Sequence, residues 1–265
     1  MKKITLQILT NMKRAGERIA VATCYDASFA AILEESGVEV LLVGDSLGMV
    51  FQGLDSTLPV SLDEIIYHTA CVARGRHHAL LVSDLPFMSY ATPERALESA
   101  GRVLKEGGAQ MVKLEGGSTQ LDTVRRLTDH GIPVCAHLGL LPQSIHKVGG
   151  YRVQGRDPAS AAAIREDALA LEQAGAQLLV LECVPATLAQ AVTASLTIPV
   201  IGIGAGSGCD GQVQVLYDLL GISIGKVPSF AHNFLHGCDS VSEAVARYVA
   251  AVKAGTFPSS EQSFS

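Results

Sequence analysis

The chain has 265 residues, of which 48% are hydrophobic and 17% are charged, which excludes a disordered chain and provides enough apolar side chains for a large core. It carries 20 basic and 26 acidic residues, and this net charge of −6 argues against nucleic acid or an anionic membrane as the main partner. No apolar run approaches the ~20 residues that a membrane span needs.

Short apolar runs alternate along the chain with longer amphipathic segments. The apolar runs predict eight strands, at Ile19–Cys24, Val40–Val43, Leu80–Ser83, Gln110–Leu114, Ile132–Ala136, Gln177–Leu181, Pro199–Ile203 and Ile222–Ile224. The amphipathic segments predict helices at Ala27–Ser36, Leu62–Arg74, Pro93–Glu106, Leu121–His130, Ala159–Ala174, Pro185–Ser195, Asp210–Leu220 and Val241–Ala254. Most of the strands are apolar throughout, which is typical of parallel strands buried on both faces.

The order of these elements indicates the fold class. Eight βα-like units predict an α/β protein of the (β/α)₈ TIM-barrel type, with a doubly wound open sheet as the structural alternative. No linker or low-complexity stretch interrupts the pattern, so we expect one domain over residues 1–265, with an extra C-terminal helix. Thr92 and Asp210 are predicted helix N-caps. Glycines predicted to end helices in the left-handed conformation are Gly37, Gly107, Gly131, Gly175 and Gly221.

The six cysteines include no CxxC pair. We therefore expect reduced thiols, without a disulfide framework or a zinc site. Free thiols are typical of a reducing compartment, so we expect a cytoplasmic location.

Titratable residues stand where the predicted strands end. They are Asp26, Asp45, Asp84, Lys113 with Glu115, His137 and Glu182. Two long connections, Gly44–Ser61 and Leu138–Pro158, also follow strands. In a barrel the C-terminal ends of all strands converge on one mouth, so we expect these residues and loops to meet there.

Each of these residues also has a structural interpretation. An Asp after a strand is often the N-cap of the next helix, which we favour for Asp26; for Asp45 and Asp84 the next predicted helix starts many residues later, so we favour function. Strand alternation places Lys113 and Glu115 on one side, where they form either part of a site or a structural ion pair.

His137 and Glu182 have alternatives of the same kind. His137 is either a site residue or a satisfied core histidine. The apolar residues around Glu182 would raise the pKa of its carboxyl group, as a general base often requires. The alternative is an ordinary carboxylate at the rim that is exposed to water.

Several carboxylates at one mouth would repel one another without a cation. Oxygen ligands without cysteine point to a hard divalent ion, most simply Mg²⁺. Such an ion can hold a 2-oxo acid and stabilise the enolate that forms when a base removes the adjacent proton.

A glycine-rich turn follows the seventh predicted strand, at Ile201–Gly206. It matches a dinucleotide fingerprint poorly, since no acidic residue ends a strand ~20 residues further on. Contact with a ligand and close backbone packing both remain open for it.

Seven ordered blocks in this chain resemble the ketopantoate hydroxymethyltransferase family, essentially over its whole length. The blocks are Val43–Met49, Asp84–Met88, Val112–Gly117, His137–Leu140, Gly149–Gly155, Leu181–Pro185 and Ile201–Gly206. The resemblance implies a (β/α)₈ barrel that transfers a hydroxymethyl group from 5,10-methylenetetrahydrofolate to 3-methyl-2-oxobutanoate, giving 2-dehydropantoate for pantothenate biosynthesis.

The resemblance also implies roles for individual residues. Mg²⁺ would be bound by Asp45, Asp84 and Glu115, the last through water in one variant of the site. The keto acid would contact Asp45, Ser46, Asp84, Lys113 and His137, and Glu182 would be the proton acceptor. The family is usually a homodecamer, so we expect a homo-oligomer.

Two other functions stay open from the residues alone. A Mg²⁺-dependent C–C lyase acting on a 2-oxo or phosphoenol acid would use the same barrel, but a reactive cysteine would be expected on a mobile loop and neither long loop contains one. A non-catalytic barrel that binds a carboxylate would leave Lys113 and Glu182 without a task.

Overall fold

Eight parallel strands close into a barrel in which each strand pairs with the next and the eighth pairs with the first. The structure is a computed structural model and describes residues 3–225 and 227–265. The strands are β1 Ile19–Thr23, β2 Val40–Val43, β3 Leu80–Asp84, β4 Met111–Glu115, β5 Val134–Gly139, β6 Leu178–Glu182, β7 Val200–Ile203 and β8 Gly211–Gln214. The predicted (β/α)₈ class is confirmed, and the open-sheet alternative is wrong.

Most helices cover the outside of the barrel or its N-terminal end. The helices are α1 Leu6–Ala15, α2 Ala27–Glu35, α3 Leu47–Val50, α4 Leu62–Gly75, α5 Pro93–Arg102, α6 Leu121–Asp129, α7 Ile145–Val148, α8 Pro158–Gln173, α9 Ala186–Ser195, α10 Leu216–Leu219 and α11 Val241–Ala254. The short α3 and α7 belong to the loops at the mouth. Asp26 and Thr92 cap α2 and α5, since their side chains accept hydrogen bonds from backbone N–H groups of the first turn. The capping interpretation of Asp26 is therefore confirmed, as is the predicted cap at Thr92.

The predicted eighth strand at Ile222–Ile224 is wrong, and so is the predicted helix at Asp210–Leu220. That segment contains β8 and the short helix α10 instead. The carboxylate of Asp210 does not cap a helix; its Oδ2 accepts a hydrogen bond from Lys13 Nζ at 2.8 Å. Barrel closure explains the difference, because a Cβ on Gly211 would stand 2.3 Å from the carbonyl oxygen of Ile19. Glycine at this position lets β8 approach β1 closely enough to pair with it.

Two details of the predicted elements also change. Gly107 lies in a π-helical turn, Val103–Gly107, that continues α5, and Gly108 takes the left-handed conformation that was expected one residue earlier. Several strands reach further toward the barrel mouth than predicted. As a result Asp84, Glu115, His137 and Glu182 are strand residues rather than loop residues.

The barrel has an apolar interior below its mouth. Inward-facing side chains of all eight strands pack there, among them Val21, Leu42, Val82, Met111, Cys135, Val180, Ile201 and Val213. Leu9 and Met12 of α1 join this cluster and close the N-terminal end. A second layer lies between the strands and the outer helices, and Tyr248 of α11 is buried in it. The interior is thus a packed floor on which a site at the mouth can rest.

Among the helices of the described ranges, none is both long enough and apolar enough to cross a bilayer.

Candidate active site

The inner face of the barrel changes from apolar to charged at the C-terminal ends of four strands. Side chains two positions apart on a strand point the same way. Asp84, Lys113, His137 and Glu182 therefore stand directly above the apolar Val82, Met111, Cys135 and Val180. The predicted convergence of these residues on one mouth is confirmed.

Asp45, Asp84 and Lys113 form one half of the site. The backbone N–H of Asp45 donates to Asp84 Oδ2 at 3.1 Å, and Lys113 Nζ donates to Asp84 Oδ1 at 2.6 Å. All three residues are buried. A Cβ on Gly44 would lie 3.0 Å from Ser46 Oγ and 3.5 Å from Asp84 Oδ2, so the glycine gives the carboxylate room beside the turn.

The alternative interpretation of a structural ion pair between Lys113 and Glu115 is wrong, because the Lys113 ammonium pairs with Asp84 instead. Burial alone would lower the pKa of Lys113, but the carboxylates of Asp84, Glu115 and Asp45 outweigh burial and raise it above its usual value. Burial, followed by the charges of Asp84 and Glu115, raises the pKa of Asp45 well above its usual value. One ammonium therefore offsets only part of the repulsion among the carboxylates.

His137 joins the other two carboxylates of the site. Its Nδ1 lies 3.4 Å from Glu115 Oε1 and its Nε2 lies 3.3 Å from Glu182 Oε2. Burial and the Lys113 ammonium lower the pKa of His137, but the neighbouring carboxylates of Glu115 and Glu182 outweigh them and raise it to about 9. The ring thus lies buried between two carboxylates, and is not the isolated core histidine of the alternative interpretation.

Glu182 is the most accessible of these charged groups, with 15% of its side chain exposed, and it faces the open mouth. Its main-chain oxygen accepts the N–H of Leu140 at 2.8 Å. A Cβ on Gly139 would stand 2.1 Å from that oxygen, so the close approach of β5 and β6 needs glycine here. The next residue, Cys183, has φ 49, a conformation rare outside glycine that recurs where a functional residue is held in place.

Ser46 begins the turn into α3, at the same mouth. Its Oγ lies 2.9 Å from the hydroxyl oxygen of Tyr25, a buried side chain at the end of β1. The predicted site residues are therefore brought together, with Ser46 and Tyr25 on the side of Asp45.

Two site residues carry no signal in the sequence, Gln143 and Tyr90. Gln143 lies in the long loop after β5, and its Nε2 donates to Asp45 Oδ2 at 2.8 Å and to the Leu85 carbonyl oxygen at 3.0 Å. Its backbone N–H donates to Glu115 Oε2 at 3.0 Å, and the Tyr90 hydroxyl donates to its Oε1. Only the three-dimensional path of the loop across the mouth reveals these contacts.

The glycine-rich turn after β7 is accounted for by close packing. A Cβ on Gly204 would stand 2.9 Å from the Phe230 ring, and one on Gly206 would stand 2.5 Å from Ala186 Cβ. The Gly206 carbonyl oxygen accepts Gln212 Nε2 at 3.0 Å. Of the two interpretations left open from the sequence, the structure favours backbone packing.

The donor set fits a hard divalent cation. Within the described ranges, no three His, Cys, Asp or Glu side chains already converge as ligands of one ion. Mg²⁺, however, is usually bound by one or two carboxylates together with waters and substrate, and the carboxyl groups of Asp45 and Asp84 lie near enough for their charges to interact. Four carboxyl groups also face one ammonium and one histidine, so a divalent ion would offset negative charge that Lys113 alone does not.

Comparisons with known proteins agree on one family. A family model described as ketopantoate hydroxymethyltransferase matches residues 3–260. A 3-methyl-2-oxobutanoate hydroxymethyltransferase from Nitrosococcus oceani is 59% identical over 264 residues, covering 100% of both chains. A protein of the same name from Halorhodospira halophila is 57% identical over 98% of this chain and 94% of its own.

Solved structures with low sequence identity share the fold. A phosphonopyruvate hydrolase in complex with oxalate and Mg²⁺ has a TM-score of 0.60 and 12% identity, covering 81% of each chain. A phosphoenolpyruvate phosphomutase from Streptomyces platensis subsp. rosaceus has a TM-score of 0.59 and 13% identity, covering 80% of this chain and 82% of its own. At such identities the likeness concerns the barrel alone.

Proposed function

Because this chain belongs to the ketopantoate hydroxymethyltransferase family and is a transferase, we propose that it transfers a hydroxymethyl group from 5,10-methylenetetrahydrofolate to 3-methyl-2-oxobutanoate, in pantothenate biosynthesis. The name shared by relatives that match the full length supports this substrate. The observation that supports the proposal is the row of inward-facing charged residues at the mouth, where the partly exposed carboxylate of Glu182 and the buried Lys113–Asp84 pair are both found. A non-catalytic barrel is not supported.

The proton transfer is assigned to Glu182. Its carboxylate takes the proton from C3 of the keto acid, and the electron pair left on C3 delocalises onto the keto oxygen as an enolate. Lys113 stabilises that developing negative charge, because its ammonium is buried and held at 2.6 Å from Asp84. His137 contacts Glu182 and fixes the direction in which the base faces.

The carbon–carbon bond then forms between C3 and the methylene carbon of the folate. Both carbon–nitrogen bonds of that methylene group, to N5 and to N10 of tetrahydrofolate, break. A water supplies the hydroxyl oxygen and its two protons go to the two nitrogens, while the proton taken from C3 goes to the new alkoxide, so that tetrahydrofolate and 2-dehydropantoate result. Asp45, Ser46 and Asp84 would contact the carboxylate and keto ends of the substrate, from the side opposite Glu182.

Mg²⁺ held by Asp45 and Asp84, with Glu115 reached through water, would supply Lewis-acid polarisation of the keto acid. The pair of buried carboxylates and the excess negative charge of the site support this ion. The phosphonopyruvate hydrolase of the same fold, which was solved with Mg²⁺ and oxalate, is consistent with it.

The remaining features of the protein are proposed on separate grounds. All six cysteines are free thiols, which supports a reducing, cytoplasmic location.

Exposed apolar side chains, among them Tyr67, Ile222 and Ile224, support self-association into the family's decamer. We propose that the whole chain acts as one barrel domain with α11 as an added helix. Sedimentation of the purified protein tests the oligomer, and a monomer at micromolar concentration would exclude the decamer.

The first step is tested by proton NMR of 3-methyl-2-oxobutanoate in D₂O with Mg²⁺ and without folate. We expect the C3 proton signal to disappear with the wild type, to persist after EDTA treatment, and to persist with Glu182→Gln. Glu166→Gln, an exposed change on α8, is the matched control and should behave as the wild type. Equal exchange in Glu182→Gln and in the wild type would remove Glu182 from its role.

The transfer itself is tested by adding 5,10-methylenetetrahydrofolate and following 2-dehydropantoate. Product formed only with both substrates and Mg²⁺ is the expected result. If the wild type exchanges the C3 proton but forms no product, the enzyme makes the enolate, and 5,10-methylenetetrahydrofolate is not its co-substrate.

A further inference from the structure

A loop folds across the barrel mouth between β5 and α8, over residues 140–157. It is anchored there by Gln143, whose side chain is buried although it lies in a connection. The residue contacts both halves of the site, because its amide donates to Asp45 at 2.8 Å and its backbone N–H donates to Glu115 at 3.0 Å. No other loop residue described in the structure hydrogen-bonds to both of these carboxylates.

The surroundings of Gln143 leave one orientation for its amide. Nε2 faces two acceptors, Asp45 Oδ2 and the carbonyl oxygen of Leu85. Oε1 faces the hydroxyl of Tyr90, which donates to it at 2.5 Å. If the amide turned over, its oxygen would face the Leu85 carbonyl oxygen, which has no hydrogen to donate. The Leu85 carbonyl oxygen therefore fixes which group Gln143 presents to Asp45, and the Tyr90 hydroxyl holds the other end of the amide by donating to Oε1.

Tyr90 is buried and follows the short segment after β3 that also contains Leu85. The chain of contacts runs from the β3 segment through Tyr90 to Gln143, and from there to Asp45 and Glu115. Residues of three different connections are thereby tied together above the charged layer.

We infer that Gln143 is a positioning residue of the site: its amide, held between Tyr90 and the Leu85 carbonyl oxygen, fixes the Asp45 carboxylate while its backbone fixes Glu115. Closing the loop and placing the two carboxylates are then one event. The inference deepens the proposed function and rests on it where it assigns Asp45 and Glu115 to binding of the ion and the keto acid. The tie between the loop and the carboxylates stands independently of that assignment.

The test uses Gln143→Leu, Tyr90→Phe and the double variant in the full-length protein. Leucine keeps much of the bulk but loses the amide, and the backbone contact to Glu115 stays available. Tyr248→Phe is the matched control, because it also removes a buried hydroxyl, here one that lies 2.7 and 2.9 Å from the carbonyl oxygens of Val21 and Gln212, away from the mouth.

The first readout is hydrogen exchange, which requires neither substrate nor ion. We expect amide exchange over residues 140–157 to become about tenfold faster in Tyr90→Phe, since one buried hydrogen bond is lost, and still faster in Gln143→Leu. Exchange in the barrel strands should stay as in the wild type. Tyr248→Phe should leave the loop protected, even if it lowers overall stability.

The second readout is Mg²⁺ affinity by calorimetry, together with kcat and KM for the keto acid. Loss of a partner that orients a ligand lowers affinity about 10–100-fold, and we expect this for Gln143→Leu. Tyr90→Phe should lose about fivefold, in line with one hydrogen bond. Because Tyr90 acts through Gln143, the double variant should be no weaker than Gln143→Leu.

Each outcome decides the inference. Loop exchange and Mg²⁺ affinity within twofold of the wild type in Gln143→Leu would overturn it, and so would singles whose losses multiply in the double variant. If Gln143→Leu does not fold, Tyr90→Phe alone must show the local loss of loop protection. If the wild type neither exchanges the C3 proton nor forms product, the proposed function fails, while hydrogen exchange still decides the role of Gln143.

Discussion

Replacing Lys113 by Met should show how strongly the site depends on its one buried ammonium. Its Nζ lies 2.6 Å from Asp84 Oδ1, with both side chains almost fully buried. Removing one partner of a buried ion pair costs about 3–5 kcal/mol, because the other charge is left uncompensated. Against a typical unfolding free energy of about 5–15 kcal/mol, Lys113→Met should fold but be marginally stable.

The pH dependence has a definite sign. The folded pKa of Lys113 lies above its ordinary value of 10.5, so its stabilising contribution is fully present below pH 10.5 and is lost as the pH rises through the folded pKa. The loss in Lys113→Met should therefore be complete at pH 7, where urea unfolding measures it directly.

Mg²⁺ should recover part of that loss, because the variant leaves more negative charge at the mouth. A ligand at ten times its dissociation constant stabilises the folded state by about 1.4 kcal/mol. Lys13→Met is the control: Lys13 pairs with Asp210 at 2.8 Å at the other end of the barrel, and Mg²⁺ should not rescue it. A Lys113→Met protein as stable as the wild type at pH 7 without Mg²⁺ would refute the reasoning.

Three further changes test single contacts of the structure. Gly139→Ala should lose about 1–3 kcal/mol from its positive φ and more from overlap with Glu182, whereas Gly131→Ala, with open space around it, should lose only the first part; equal losses in urea unfolding would contradict this. The carboxylate of Glu34 accepts three backbone N–H groups, which outweigh burial and lower its pKa. Its stabilising effect is therefore present above pH 4.5 and lost as the pH falls through the folded pKa, so the cost of Glu34→Gln should shrink in acid, and a cost independent of pH would count against it. Asp26→Ala removes the N-cap of α2 and should cost about 1 kcal/mol, with an unchanged thermal midpoint as the contrary result.

The first seven strands could be predicted because their sequences are apolar on both faces, which only a buried parallel strand needs. The eighth could not. In β8 the only inward-facing apolar side chain of the interior cluster is that of Val213, and the flanking Gln212 and Gln214 read as polar helix positions. Pairing with β1 and β7 determines the conformation there, and pairing is a property of the closed barrel, not of the local sequence.

The same distinction separates the site residues that were predicted from those that were missed. Lys113, Glu115 and Glu182 could be predicted from the twofold alternation of strands, since charges two or four positions beyond an inward-facing apolar residue point the same way and reach the mouth. No sequence periodicity of this kind indicates that Gln143 belongs to the site. Its position depends on how a long connection folds back, and a polar side chain in a loop gives no indication of being buried.

The apolar floor and the loop above it act together on the charged layer. Val82 and Val180 lie directly beneath Asp84 and Glu182, and α1 seals the barrel from below, so water reaches the charges only through the mouth. The loop that carries Gln143 covers part of that opening. Because burial is the largest cause of the raised pKa of Asp45, whatever opens the loop also rehydrates this carboxylate and weakens every electrostatic contact around it. A closed loop therefore strengthens the electrostatic contacts at the mouth, and through these contacts a neutral glutamine would act on a site made of charged groups.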